Sequence, residues 1–243
     1  LARAGYRVVV PDQRGYNLSD KPAGVENYRI DHLTGEVLGL IGALGRERAV
    51  VVGHDWGGFV AWRLAMDHPR AVERLAVMNA PHPLAFARAL AHDWSQRLRS
   101  WYMLFFQVPW LPEALLGLSP LGTARLFFRG TAVRHGAFSE ADLEVMAAAL
   151  AQPGALRAML NWYRASLSHR PGLRVKPMRT TIEAPTLLLW AEDDVALGKG
   201  LTYGLERWVP DLEIHYIPDC GHWVQNEAPD EVNGRLLAFL ERG

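Results

Sequence analysis

The stretch Arg48-Ala-Val-Val-Val-Gly-His-Asp-Trp-Gly-Gly-Phe59 decides the fold. Ala49 to Val52 form a short continuous apolar run, the kind that fits a fully buried parallel strand. The run stops at Gly53-His54-Asp55-Trp56-Gly57-Gly58. Phe59, Val60, Leu64 and Ala65 then recur with helical spacing up to His68-Pro69. That order is strand, tight turn, helix. Gly53-x-Asp55-x-Gly57 sets a glycine two residues either side of a central acid, the nucleophile-elbow pattern with aspartate in place of serine. The central residue of such a turn adopts a strained backbone. A side chain two residues away on either side is expected to strike the crossing strand or helix. The turn thrusts Asp55 out at the carboxyl end of the strand, with the Trp56 N–H aimed into the same space from the helix N-terminus.

Outward from the elbow, Tyr6 to Val10 reads as a buried strand and Asp12 to Pro22 as a turn-rich loop. Ile30, Leu33, Val37, Leu40, Ile41 and Leu44 repeat with helical period, and Gly45 fits the stop. Leu75 to Met78 is a further apolar run, closed by Asn79. Alternating strands and helices imply a parallel sheet with right-handed crossovers. From about Pro83 to Thr180 strand-like runs give way to aromatic-rich helical segments. These are Leu84–Gln107 as one or two helices, Glu113–Gly117, Ala124–Phe128, a helix capped by Ser139 with Asp142 three residues on, and Gly154–Ser168. This block reads as a helical cap inserted into the sheet domain. Alternation then resumes: strand Thr186–Trp190, helix Leu201–Trp208, strand Glu213–Ile217 and helix Val232–Leu240.

The 243 residues are 49% hydrophobic and 21% charged, enough to bury a sizeable core. Formal net charge is zero, which gives no electrostatic case for nucleic acid or a membrane surface. No apolar run is long enough to span a bilayer. The single Cys220 rules out an internal disulfide framework and fits a reducing, cytoplasmic compartment. His and Cys show no metal-ligand spacing, and no glycine loop fits a phosphate, so no cofactor is expected. Nine Trp residues point to an aromatic-lined cavity or simply to a large core. Oligomeric state, a homodimer included, is not fixed by the sequence.

The elbow, Pro11-Asp-Gln-Arg-Gly-Tyr-Asn-Leu-Ser-Asp-Lys-Pro22, Asn79-Ala-Pro-His-Pro83 and Gly221-His222-Trp223 together resemble an α/β-hydrolase-fold epoxide hydrolase. The resemblance covers most of the chain, and the order and spacing of the pieces make it specific. It implies an α/β fold: a mostly parallel sheet, with residues 1–82 and 181–243 as the core and 83–180 as the cap. It also implies strands and a His-Gly-x-Pro-like turn, donor of a second oxyanion N–H, ahead of the first residue. No His-Gly-x-Pro occurs here and the chain opens on Leu1. An N-terminally incomplete chain is therefore the expectation, and the lack of a signal peptide carries no weight.

An elbow carboxylate cannot form an ordinary acyl-enzyme, but it can displace a leaving group from saturated carbon and become an alkyl ester. That confines the substrate to epoxides or alkyl halides. The alternative for Asp55 is a plain helix N-cap, which needs no flanking glycines. His222 follows the last strand, so Asp55, an acid and His222 stand in the chain order nucleophile–acid–base. His54, beside the nucleophile, points away from the site in an elbow, and His82 sits between two prolines. Spacing leaves Asp193 and Asp194 both open as the acid that orients His222. The family pattern Ala-Glu-x-Asp aligns with Ala191-Glu192-Asp193-Asp194 and selects Asp194, with Glu192 structural. The family's two cap tyrosines carry over to Tyr102 and Tyr163. They lie in Ser100-Trp-Tyr-Met-Leu-Phe-Phe-Gln107 and Leu160-Asn-Trp-Tyr-Arg164. The bland reading of both is core packing. Trp56, Trp101 and Phe106 are assigned to the oxyanion and substrate pocket. The implied substrates are a small apolar epoxide and water. The nearest rival is a haloalkane dehalogenase, which shares the elbow acid, the histidine and a Trp after the nucleophile. It needs N–H donors for halide rather than phenols. A fluoroacetate-type dehalogenase would want Arg just after the nucleophile, where this chain has Trp56 and Phe59. A non-catalytic ligand-binding protein on the same scaffold would be expected to have lost one of these three residues.

Overall fold

The computed structural model describes residues 1–167 and 179–242. After a loop through Tyr28, α1 (Ile30–Ala43) leads to β1 (Ala49–His54), α2 (Asp55–Asp67) and β2 (Val72–Met78). A helical stretch follows: α3 (Pro83–His92), α4 (Trp94–Arg99), α5 (Trp101–Phe105), α6 (Leu111–Gly117), α7 (Pro120–Ala124), a π turn at Arg125–Arg129, α8 (Glu140–Leu150) and α9 (Ala155–Leu167). The chain returns as β3 (Thr186–Ala191) and β4 (Leu212–Ile217), and closes with α10 (Val224–Glu227) and α11 (Pro229–Leu240). The four strands are all parallel, in the order β1-β2-β3-β4.

Apolar residues fill both faces of the sheet, as a buried parallel sheet requires. In β3 the alternation is plain: Leu188 and Trp190 join Trp62, Leu64, Leu75 and Val77 on one face. Leu187 and Leu189 join Ala76, Met78, Ile217, Val232 and Phe239 on the other. Since every strand runs the same way, the carboxyl ends of β1, β2, β3 and β4 share one edge. Asp55, Asn79, Asp194 and His222 follow those four ends in turn.

Several expectations need correction. Tyr6–Val10 is not a buried strand. No described strand pairs with it, and Val10 is 87% exposed. An apolar run marks a strand only where a neighbour supplies the ladder. Leu84–Gln107 breaks into three helices. Asp93 caps α4 by accepting from Ser95 N and Gln96 N at 2.9 and 3.3 Å, and Ser100 separates α4 from α5. Ala124–Phe128 is divided between the end of α7 and the π turn. Leu201–Trp208 is two short 3₁₀ turns, Lys199–Thr202 and Leu205–Arg207, parted by Gly204 at φ +72°. Elsewhere the local reading holds. Gly45 stops α1 at φ +72°, and Ser139 and Asp142 form a reciprocal capping box on α8. Ser168, the expected end of α9, lies outside the described residues.

Candidate active site

Asp55 opens α2 at φ +50°, a left-handed conformation that costs a non-glycine residue about 1–2 kcal/mol. The turn is tight enough to impose it. A Cβ on Gly53 would lie 2.4 Å from Gly57 O, and one on Gly58 would lie 2.4 Å from the Ala80 Cβ. Gly57, the expected second glycine of the elbow, is not crowded; its nearest neighbour is the Gln13 amide at 3.4 Å. The tight pair is Gly53 and Gly58, because α2 turns Gly58, not Gly57, towards β2. Trp56 is the second residue of α2, so its N–H lacks an intrahelical acceptor.

His222 stands over this carboxylate. Its Nε2 lies 3.6 Å from Asp55 Oδ1, and its Nδ1 donates to Asp194 Oδ2 at 2.7 Å. Asp194 is buried, whereas Asp193 is exposed, which separates the two acids that spacing left open. Burial would raise the Asp194 carboxyl. The His222 charge and hydrogen bond, with bonds from Asn79 and the Ala196 N–H, more than reverse that and hold it below the usual range. Asn79 Nδ2 donates to the same Oδ2 at 2.8 Å, while Oδ1 accepts from Ala196 N and Leu197 N at 2.8 and 3.0 Å. For His222 the balance runs the other way. Burial lowers it, but Asp194 and then Asp55 lift it to about 9.

Two phenols from the helices between β2 and β3 lie near enough to Asp55 for its charge to act on both. Tyr102 on α5 and Tyr163 on α9 lie with ring centroids 5.9 Å apart. Burial raises both hydroxyls, and the Asp55 charge is the next cause in each. Tyr163 also edges Trp56 at 4.9 Å, and Phe106 packs on Tyr163 and Tyr102 at 4.9 and 5.6 Å. Trp101 is not part of this cluster. It is 64% exposed and its ring neighbours Phe105, because it stands one helical step from Tyr102 and so faces outward. Among the described residues, no three His, Cys, Asp or Glu side chains are grouped to hold a metal ion, and no helix is long and apolar enough to cross a membrane.

The sequence pattern of the Alpha/beta hydrolase family matches residues 1–235. The chain belongs to the α/β hydrolase family. The AB hydrolase superfamily protein YfhM of Bacillus subtilis is 40% identical over 99% of this chain and 82% of its own length. Epoxide hydrolase 4 of Mus musculus is 34% identical over 98% of the chain and 67% of its own. Epoxide hydrolase 1 of Caenorhabditis elegans is 36% identical, and the chain spans 59% of its length. Among solved structures, an epoxide hydrolase of Bacillus megaterium in complex with an inhibitor is similar at TM-score 0.83. It is 30% identical, with 95% of this chain and 82% of that one covered. A putative acyltransferase from Salmonella enterica has the same TM-score, 0.83, at 27% identity. The fold is thus shared beyond one chemistry.

Several residues of this α/β hydrolase site were not legible beforehand. Asn79 closes an apolar run and opens the segment Asn79–Pro83 in the sequence, and neither place gives it a role; in the fold, at φ +35°, it clamps Asp194 to β3 through Ala191 N at 2.9 Å. His54 touches the site's scaffolding: its Nε2–H donates to the His222 carbonyl at 2.8 Å. Burial, then the His222 charge, depress its imidazole to about 4. Tyr16, in the Pro11–Pro22 loop, is a third phenol raised by burial and by Asp55, and its ring edges Trp162 at 5.4 Å. The one available signal for Tyr16 was its place in a segment already singled out.

Proposed function

We propose that this α/β hydrolase opens an apolar epoxide to a vicinal diol through an ester on Asp55. The observation that carries the proposal is a pair of phenols, Tyr102 and Tyr163, set around a strained elbow carboxylate. A leaving alkoxide needs a proton, and a phenol supplies one without bearing charge at rest. Halide needs no proton, and a carboxylate substrate would want a cation here. The relatives called epoxide hydrolases support the same reading. In this reading residues 83–180 act as a cap over the 1–82 and 181–243 core. Trp56, which edges Trp162, and Phe106, which packs on Tyr163, surround the phenols with apolar rings suited to an apolar substrate.

The chemistry closes on itself. An Asp55 oxygen attacks one epoxide carbon, the ring C–O bond breaks, and the freed oxygen takes the proton of one phenol. The imidazolium of His222 then restores that phenol through solvent. Alkylation has removed the Asp55 charge, one of the causes that lifts His222, so the ring gives up its proton more readily at this stage than before. Neutral His222 next takes a proton from water as the water oxygen adds to the ester carbonyl carbon. The Trp56 N–H stabilises the resulting oxyanion. The acyl C–O bond breaks, the departing alkoxide takes the proton of the added hydroxyl, and Asp55 and His222 return to their starting charges. Asp194 keeps the ring aligned throughout.

Because the acyl bond breaks, one turnover in ¹⁸O-water must label Asp55 and leave the first diol unlabelled. Styrene oxide and 1-bromobutane separate the two substrate classes: diol from the former is expected, and bromide without diol overturns the proposal. In His222→Ala, a mass increase on the Asp55 peptide equal to one epoxide is expected. Its absence with every epoxide tried removes the ester scheme.

A further inference from the structure

The loop that carries His222 is tied down by a carboxylate outside the catalytic set. Glu227, the last residue of α10, is 6% exposed. Its side chain folds back six residues, and both oxygens accept from the Gly221 N–H at 3.1 Å. The same Oε2 also accepts from Val133 N and Arg134 N, each at 2.8 Å. These N–H groups belong to the loop after the π turn, about 90 residues away in sequence. Arg134 reaches back across the junction. Its Nε and Nη2 donate to Asp219 O and Pro218 O at 2.9 and 3.1 Å, and Nη1 to the Glu227 carbonyl at 3.4 Å. Trp223, on the other side of His222, donates to Phe127 O and Thr131 Oγ1 at 2.9 Å each. The fit is tight. A Cβ on Gly221 would lie 2.8 Å from Glu227 Oε1 and 2.8 Å from Thr131 O.

Three backbone donors from two distant segments converge on one carboxylate. No hydrogen bond of its side chain among the described residues goes to α2, α5 or α9, which carry Asp55, Tyr102 and Tyr163. We propose that Glu227 is a positioning residue for the second half-reaction, fixing the height of His222 over Asp55 by joining Gly221 to the Val133–Arg134 backbone. The inference rests on the ester reading above. It divides the steps cleanly: forming the ester uses groups Glu227 does not hold, whereas cleaving it needs the Nε2 of His222 within reach of one water. Glu227→Gln keeps the volume but leaves one oxygen for these donors: with that oxygen at the Oε2 position, the N–H₂ takes the Oε1 position 3.1 Å from the Gly221 N–H, donor against donor in the loop that carries His222.

The test follows the alkylated Asp55 peptide by quenched-flow mass spectrometry, with styrene oxide and the full chain. Glu227→Gln is expected to slow ester decay at least tenfold while ester formation stays within twofold of the unaltered protein. Arg134→Met, a partly exposed change that leaves the carboxylate in place, is expected to slow decay about threefold and serves if Glu227→Gln does not fold. A general loosening would slow both steps together, and that result, or an unchanged decay in both variants, overturns the proposal. His222→Gln separates this failure from that of the parent reading. If it traps the ester while Glu227→Gln decays normally, only the role of Glu227 falls; if it forms no ester, both fall.

Discussion

The imidazole of His222 donates its Nδ1–H to an Asp194 oxygen 2.7 Å away, and that carboxylate is shut off from solvent. The pair makes a prediction about stability. His222 holds its proton to about pH 9 in the folded protein against 6.5 for a free imidazole. Below 6.5 both states are protonated and its contribution is complete. Between 6.5 and 9 the unfolded chain releases the proton first, so stability falls as pH rises. His54 and His82 act oppositely. Burial, reinforced at His54 by the His222 charge, depresses each to about 4, so below 6.5 the unfolded chain takes up protons that the folded one refuses. Urea midpoints measured from pH 4 to 10 are therefore expected to peak near 6.5 and decline on both sides. In His222→Gln the alkaline decline should flatten. A midpoint that climbs steadily to pH 9 contradicts the assignment.

The elbow glycines should not be equivalent. Gly53→Ala places a methyl against the Gly57 carbonyl, which is backbone and cannot rotate away. Gly58→Ala meets Ala80 Cβ at 2.4 Å and Val77 Cγ1 at 3.1 Å. Overpacking of this kind costs about 1–3 kcal/mol, with Gly53 at or above the upper end. Gly57→Ala meets only the Gln13 side-chain amide, at 3.4 Å, and should leave the melting temperature within about 2 °C, at most about 1 kcal/mol on the usual scaling for a chain this size. Thermal unfolding of the three variants checks the order. A Gly57 variant less stable than the Gly58 variant would show that the crowding has been misassigned.

What could be read from the chain alone followed local rules. Three apolar runs marked β1 to β3, alternating Glu213–Ile217 marked β4, and the glycines around Asp55 marked the bend, because strand burial and elbow sterics are written in adjacent residues. That His222 and an acid after β3 meet Asp55 was legible through order, since strands that run the same way deliver their following loops to one edge; which of Asp193 and Asp194 it would be was not. Tyr6–Val10 failed where the deciding fact is a neighbour rather than a composition. Gly57 and Gly58 were confused because the pattern counts residues, whereas contact depends on which way a helix faces. The parts Asn79, His54 and Glu227 take were invisible for a related reason, and His54, expected to point away, lies against the His222 ring at 4.8 Å. Each acts through hydrogen bonds to residues 93 to 171 positions away, and no local periodicity records such a pairing. Trp101 shows the converse: a residue in the right segment still faces outward if it sits one step round the helix.

Cys220 tests the burial of the loop ahead of His222. Its thiol is fully enclosed, and burial, with the nearby Glu227 charge, raises it to about 12. The thiolate is the reactive form, so it should be scarce at pH 8. The folded protein is expected to resist iodoacetamide at pH 8 for hours, and to take up one equivalent within minutes in 6 M guanidinium. Rapid labelling of the native protein would mean that this loop opens far more often than the packing around it implies.

The last prediction concerns what holds Tyr163 in place. Its neighbour Arg164 makes a two-pronged bond to Glu113, Nη1 to Oε1 at 2.6 Å and Nη2 to Oε2 at 3.0 Å. It also donates to Phe106 O and Val108 O at 2.9 and 3.0 Å. One guanidinium thus ties α9 to α6 and to the end of α5, the helix that bears Tyr102. A lysine keeps the charge but lacks the fork, so it cannot serve these acceptors at once. Arg164→Lys and Arg164→Met are both expected to lose about 1.5–3 kcal/mol, the range for hydrogen bonds to charged groups. Because both phenols sit on the helices so joined, ester formation with styrene oxide should slow several-fold, while decay of ester already formed should not change. Chemical denaturation and the same quenched-flow measurement read the two effects separately. If Arg164→Lys matches the unaltered protein in both, charge alone suffices and the fork has no part in placing the phenols.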